Sequence, residues 1–362
     1  MSILEIPVNP DYESMIKCVL REKEPERVHF SELFLDDEII EASGEKFGLL
    51  SGLDRSDPLY VTKRDVKVYS FLGYDMARIH VPGVEFDLTY LKAADTTDID
   101  SQIRNQRDWV NEHSGPIQSW DDFTNFPWPE IQNADLSALE WCEKNLPEGM
   151  KVYDLTTHIF ENLSWSLGFE TMCYKLYDEP DLVQAVADRV GDFYLEFTKL
   201  LCDFHCVGVI WGSDDMGFKT QPLMSPDKLR ELILPWHKKA ARIAHENDKP
   251  YFLHACGHIE DIMDDLIDDV KIDAKHSFED AIMPVTEVCE KYGDRAGILG
   301  GIDMDILCRS DEETIRKKVR ETLDACFPGG GYCLGSGNTI ANYMPLENYL
   351  AMMDEGRRYC RD

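Results

Sequence analysis

The sequence predicts an α/β fold, a (β/α)8 barrel of the TIM type, and three observations carry that prediction. From residue 136 onward short apolar runs alternate with amphipathic helical stretches, the mark of parallel strands joined by helical crossovers. Counted with the strand-like stretches at 27–34 and 75–81, the strands number close to eight, which favours a closed barrel over an open doubly wound sheet. Polar and ligand-type side chains gather just after the apolar runs, where such folds keep their functional groups. With 362 residues, 43% of them hydrophobic and 10% aromatic, the chain can bury a large core, and no linker divides it. We therefore expect one domain over residues 1–362, with an N-terminal helical extension.

The elements follow in order. Tyr12 to Lys23 reads as a helix because Met15, Ile16, Val19 and Leu20 recur at the helical period. Residues 27–34 alternate like a strand, Lys67 to Tyr74 is helical again, and Asp75 to Val81 is a strand. Phe86 to Leu91 fits one arm of a hairpin, and the polar, Trp- and Pro-rich segment near 92–135 reads as an insertion over one end of the core. Helices are expected at Leu136 to Asn145 and Pro180 to Asp203, the second opening with acidic residues that suit its dipole. Strands are expected at Met150 to Leu155, Val207 to Trp211, Tyr251 to Leu253, Ile272 to Lys275, Ala296 to Leu299 and Gly331 to Leu334. Between them lie helices opened by Ser225-Pro226, by Ile259, by Met283 and by a capping box of Ser310 and Glu313, and Pro345 to Tyr359 closes the chain.

Charge narrows the function. Lys and Arg number 37 against 69 Asp and Glu, a net charge of −32 that repels nucleic acid, anionic lipid and polyanionic substrates. No run is long and apolar enough to span a membrane, and Met1-Ser-Ile-Leu-Glu5 lacks the layout of a signal peptide, so a cytoplasmic location is expected. Most of the eleven cysteines sit in helical patterns and read as small buried hydrophobes of a reducing compartment.

Cys256 and Cys333 stand apart, each lying where a strand gives way to a glycine-rich loop. In Tyr251-Phe-Leu-His254-Ala-Cys256, His254 and Cys256 are two apart and point to one side of a strand end. If the strand carrying Cys333 brings its end to the same mouth, His254, Cys256 and Cys333 make a zinc set with an open fourth position, left for substrate or a weakly held carboxylate such as Asp215. A pair of core residues is the competing reading, and His258 reads as a helix-start residue. Asp214 and Asp215 form either an acid/base or cation-binding pair or two solvated carboxylates, and His276 either acts at its strand end or only hydrogen-bonds a loop. The glycines at 300, 301, 335 and 337 complete neither a dinucleotide fingerprint nor a Walker loop, so they let backbone approach a ligand rather than bind a nucleotide. Trp165, Trp211, Met216, Phe218, Asn338 and Tyr343 lie near the expected strand ends, where they can hold a ring, although core packing is the commoner fate of such apolar residues.

Taken together, Gly212-Ser-Asp-Asp-Met-Gly217, Ser225-Pro226, His254-Ala-Cys-Gly257, His276-Ser277, Gly300-Gly-Ile-Asp303 and Gly331-Tyr-Cys-Leu-Gly-Ser-Gly337 resemble the uroporphyrinogen decarboxylase superfamily, in particular its corrinoid-dependent methyltransferase branch. The resemblance is strongest from about Gly208 to the C-terminus. It implies zinc held by a His-x-Cys pair and a late Cys, which match His254, Cys256 and Cys333. It further implies methyl transfer between a small molecule and the cobalt of a corrinoid (cobalamin). Asp203-Phe-His205-Cys-Val-Gly208 has the Asp-x-His-x-x-Gly spacing of corrinoid motifs, but it joins the helix Pro180 to Asp203 to the barrel strand Val207 to Trp211 and belongs to no separate corrinoid domain, so a separate corrinoid-binding protein is the expected partner. The arginine-rich N-terminal motif of true decarboxylases is absent between Met1 and Gly48, which makes decarboxylation secondary.

The expected function is thus O-demethylation of a methoxylated aromatic, with Asp215 or His276 protonating or orienting the leaving oxygen. The alternatives are transfer from methylcorrinoid to a thiol, and a zinc-binding barrel without turnover. A homodimer is compatible with the sequence. In this form the reading requires the sulfur of Cys333 to reach the rim that carries residues 254 and 256.

Overall fold

The computed structural model describes residues 3–94, 106–111 and 113–360. Its centre is a ring of short parallel strands: β1 (Met76–Arg78), β4 (Lys151–Tyr153), β5 (Leu155–Thr156), β6 (Ile210–Ser213), β7 (Tyr251–His254), β8 (Ala274–His276), β9 (Gly297–Leu299) and β10 (Tyr332–Cys333), with the hairpin strands β2 (Tyr90–Ala94) and β3 (Gln106–Val110) outside it. The ladder runs β5-β6-β7-β8-β9-β10, and β1 pairs with β4. β4 and β5 are one stave broken at Asp154, tied to the next by the bridge Val152↔Val207. The segment around Phe30 closes the ring on the far side through a parallel bridge to Leu334. This is the expected (β/α)8 barrel. Its staves are continuous apolar runs because both faces are covered, by the lumen within and by helices without.

The lumen is packed. Met76, Tyr153, Val209, Trp211, Phe252, Ala274, Leu299 and Cys333 fill it. The N-terminal helix, Tyr12–Val19, adds Met15 and Val19 from below. Hydrogen bonds from Tyr12 Oη to the Gly208 carbonyl (2.6 Å) and from the Gly331 amide to the Cys18 carbonyl (2.7 Å) seat that helix across the amino ends of the staves. One end of the barrel is plugged, so ligands reach it from the carboxyl end.

Several elements depart from the sequence expectation. The helix expected across 226–246 is two helices, Pro226–Leu232 and Leu234–Glu246, because Pro235 has no amide to continue the first and disfavours helical geometry before it. Helices that were not anticipated include Ile159–Leu167 and Phe169–Asp178, which meet at Gly168, whose φ of +80° and whose approach to the 114–115 backbone leave no room for a side chain. Asp311, not Ser310, caps the helix Glu312–Cys326, accepting from the Thr314 amide at 2.9 Å. In the expected insertion, β2 and β3 pair antiparallel from Tyr90↔Val110, and residues 95–105 and 112 lie outside the described residues. Among the described residues no helix is long and apolar enough to cross a membrane.

Candidate metal centre

Three neighbouring staves end on polar side chains at the open end. β6 runs into Asp214 and Asp215, β7 ends at His254 two residues before Cys256, and β8 ends at His276. The register Ser213↔His254↔His276 sets them side by side. Asp215 Oδ1 lies 3.3 Å from His254 Nε2, Cys256 Sγ lies 3.3 Å from the same nitrogen, and the three donor atoms fall within 4.8 Å of one another. Gly257 makes this convergence possible. Its φ is +79°, and a Cβ there would stand 2.3 Å from the Gly217 carbonyl carbon, so only glycine lets the loops after β6 and β7 touch. That contact sets the Cys256 amide 2.8 Å from Asp215 Oδ1.

A shell of hydrogen bonds orients the donors. His254 Nδ1 is 2.8 Å from His276 Nδ1, which turns Nε2 toward Asp215 and Cys256. Asn338 Nδ2 donates to Cys256 Sγ at 3.1 Å, and Ser277 Oγ does so at 3.5 Å. Buried Lys275 donates to the carbonyls of Ala255 (3.2 Å), His276 (3.2 Å) and Ser277 (2.6 Å), bracing both loops, and burial pushes its pKa down to about 8. Burial alone raises the Asp215 carboxyl, but His254 and the Cys256 amide outweigh it and hold the group well below the usual carboxylate range. Burial, with Asp215 nearby, pushes the Cys256 thiol well up, so its thiolate form requires a cation beside it. Burial, with His254 adjacent, pushes the His276 imidazole well down.

Asp214 has a separate job. Fully buried, it accepts from the Phe160 and Glu161 amides at 2.9 and 3.0 Å, which caps the helix Ile159–Leu167, and it meets His237 Nε2 at 2.9 Å. His237 Nδ1 continues to Tyr251 Oη (2.8 Å) and on to Thr157 Oγ1 (2.9 Å). The two adjacent aspartates therefore do not act as a pair.

Above the donors opens a cavity of about 820 Å³. Asp215, His254 and Asn338 lie on its lining, as do Trp165 and Tyr343, and aromatic residues of the helix Pro180–Cys202 form a wall. Phe193 and Tyr194 of that helix pack with Phe86 at ring-centroid distances of 5.3 and 5.9 Å. His158 and Glu161, 2.8 Å apart, complete the side nearest Asp215.

The structure thus brings together His254, Cys256, Asp215 and Asn338, with Tyr343 on the wall, and it excludes other residues singled out in the sequence. Cys333 is fully buried in the lumen beside Cys18, in the layer of Leu299 and Met15. It shares the register row of His254, through Leu299 and His276. A row is not a level, however. Staves about 4.8 Å apart and tilted by about 36° drop the row by roughly 8 Å over three steps, so Asn338, five residues on, reaches the mouth instead. Trp211 lies in the lumen with its ring 4.6 Å from that of Tyr153, and Met216 is fully buried in the outer core. Phe218 is 61% exposed and its backbone bridges to His258. His276 is buried behind His254, away from the cavity, so it positions a donor rather than moving a proton. Asp215, held ionised, is placed to ligate rather than to act as an acid. Sequence reasoning missed Glu161, Phe86, Phe193 and Tyr194. The pair His158/Glu161 just past a strand end was the available signal for the first, while the aromatics look like ordinary helix core.

Residues 136–359 match the uroporphyrinogen decarboxylase family, and the chain belongs to it. Among solved structures, a methyltransferase from Methanosarcina mazei superposes with a TM-score of 0.70 over 97% of this chain and 99% of that one, at 15% sequence identity, a likeness of fold. A B12-independent methionine synthase from Shewanella sp. W3-18-1, in complex with selenomethionine, gives a TM-score of 0.48 at 11% identity over 88% and 89% of the two chains. No curated protein matches the chain by sequence.

Proposed function

We propose that this protein is a zinc-dependent methyltransferase that moves a methyl group between a methoxylated aromatic and the cobalt of a corrinoid carried by a partner protein docked at the barrel mouth. The observation that supports it most is the donor trio Asp215, His254 and Cys256, within 4.8 Å of one another, with Asp215 and His254 on the lining of an 820 Å³ cavity that has aromatic walls. The trio differs from the one expected, because Asp215 takes the place assigned to Cys333. Imidazole, thiolate and carboxylate are all ordinary zinc ligands, and three protein ligands with an open position is the usual form of a catalytic site, so the residues fit the ion. Bound there, zinc supplies Lewis acidity to an ether or phenolic oxygen.

The chain's own residues do the rest. His276 fixes the ring of His254, Asn338 and Ser277 hold the sulfur of Cys256, and the ring wall of Phe86, Phe193 and Tyr194 orients an aromatic donor and keeps water out. The C–O bond of the donor breaks with its electron pair on oxygen, and cobalt(I) of the corrinoid substrate provides the pair for the new cobalt–carbon bond. Among the described residues the cavity offers Arg78 as its single Lys or Arg, against Asp36, Glu85, Asp154, Glu161 and Asp215, a poor host for a porphyrinogen with many carboxylates.

Metal analysis of the purified protein, followed by incubation with a reduced corrinoid protein and a panel of methoxyphenols, tests the proposal. Stoichiometric zinc and methyl-cobalt formation are expected, while zinc-loaded protein that leaves the corrinoid spectrum unchanged across the panel overturns it. Two substitutions sharpen the outcome: Cys256→Ala gives a folded, metal-poor and inactive protein, and Cys333→Ala keeps metal and activity and costs roughly 1 kcal/mol through lost lumen packing.

A further inference from the structure

We infer that the amino end of the barrel carries a second active site, a triad of Ser14, His29 and Asp75 that hydrolyses carboxylic esters, separate from the metal centre at the opposite end. Its chemistry needs only an ester and water, so it goes beyond the methyl-transfer reading and does not rest on it.

Ser14 lies in the first turn of the N-terminal helix, Tyr12–Val19, where its hydroxyl has no capping duty: Asp11 caps the helix and accepts from the Ser14 amide at 3.0 Å. The Oγ instead lies 3.1 Å from His29 Nε2, and His29 Nδ1 lies 2.7 Å from Asp75 Oδ2. A carboxylate only accepts, so the ring proton sits on Nδ1 and the Nε2 lone pair takes the hydroxyl hydrogen bond of Ser14. That is the order and polarity by which a serine is activated as a nucleophile. The supports are firm. The His29 carbonyl accepts from the Leu334 amide at 2.9 Å, and Asp75 Oδ1 accepts from the Asp11 amide at 2.6 Å and pairs with Arg27 Nη2. His29 and Asp75 are fully buried and Ser14 is half-buried, so the triad meets solvent at its serine.

A cavity is the second observation. Ser14 lines one of about 500 Å³, whose wall also includes Val8, Val28, Lys17 and Arg27. That volume suits a small ester, and the two valines suit a short apolar acyl chain. Lys17, one helical turn beyond Ser14, pairs with Glu13 at 3.8 Å in solvent, a weak tie. Lys17 and Arg27 therefore supply positive charge on the wall beside Ser14, where the carbonyl oxygen turns anionic as the serine adds. In the first step the Oγ–carbon bond forms and His29 Nε2 takes the hydroxyl proton. The carbon–oxygen bond to the alcohol then breaks, and that proton passes to the departing oxygen. In the second step water adds to the acyl carbon and gives a proton to His29, and Ser14 leaves with the proton restored to it. An ester and a water are consumed, and an acid and an alcohol are released.

The full chain, treated with a chelator so that the metal centre is silent, is incubated with an alkyl fluorophosphonate, which phosphonylates activated serines, and separately with para-nitrophenyl butyrate. A single adduct on Ser14, located by peptide mass spectrometry, is expected, with ester hydrolysis falling in step with labelling. Ser14→Ala and His29→Gln should each slow hydrolysis at least about 100-fold with an unchanged circular-dichroism spectrum. The adduct site in the unmodified protein decides the matter even if a variant folds poorly. No adduct, or an adduct elsewhere, means that the three residues only fasten the helix to the barrel, and it overturns the inference. An adduct on Ser14 without hydrolysis of the ester overturns it too, as does hydrolysis that Ser14→Ala leaves unchanged. None of these outcomes touches the methyl-transfer reading.

Discussion

The 2.8 Å contact between the Nδ1 atoms of His254 and His276 decides which nitrogen of His254 faces the mouth. Removing it by His276→Leu should leave the fold intact and weaken zinc binding roughly 10–100-fold, the usual effect of losing an orienting partner, as read by competition with a chelator. Unchanged affinity would show that Asp215 and Cys256 orient the ring alone. Glu32 carries a different expectation. Fully buried, its carboxyl is pushed by desolvation up to about 8, despite accepting from the Ser336 amide (2.8 Å) and hydroxyl (2.5 Å). The folded protein therefore holds a proton that the unfolded chain releases near 4.5. The folded state binds more protons, so this group's stabilising contribution is complete below that pH and is lost as pH rises toward 8, by at most roughly 5 kcal/mol. In Glu32→Gln the amide keeps both partners and cannot ionise. Its melting temperature should fall less than that of the wild type between pH 5 and 8, and parallel curves would refute the assignment.

The loops after β6 and β7 meet through one glycine contact, and much of the site depends on it. Gly257→Ala forces a Cβ to within 2.3 Å of the Gly217 carbonyl carbon at a φ of +79°, so the loops must part. A loss of about 1–2 kcal/mol from the backbone conformation alone is expected. A larger relative loss of zinc affinity should accompany it, because Cys256 moves off Asp215. Calorimetric melting with and without added zinc separates the two effects, and a variant that loses stability but gains its usual increment from zinc would show that the contact serves only the fold.

Across the whole molecule, the net charge of −32 makes self-repulsion a standing cost of the compact state. Many ion pairs on the outer helices are solvent-exposed, such as Lys238 with Asp269 and Arg295 with Asp264 and Asp268, and exposed pairs contribute little. Salt screens the repulsion more than it weakens these pairs, so the melting temperature should rise between 0.01 and about 0.15 M salt, where the screening length falls from about 30 to 8 Å. A melting temperature that falls over this range would mean the pairs matter more than the excess of acid.

The barrel was legible in the sequence because each stave is a short apolar run followed by polar residues, a pattern set by local chemistry and burial. Tyr251-Phe-Leu-His254-Ala-Cys256 is the clearest case, and both of its candidate ligands sit together in the structure. Height along the barrel axis was not legible. Strand tilt is a property of the closed ring, and it moves Cys333 down among Cys18 and Leu299 while the loop contact at Gly217 and Gly257 brings Asp215 beside His254. So the order of residues alone determined the fold class and which side chains end the staves, whereas the tertiary structure decided which of those ends meet, because sequence spacing measures distance along a stave and not the tilt between staves.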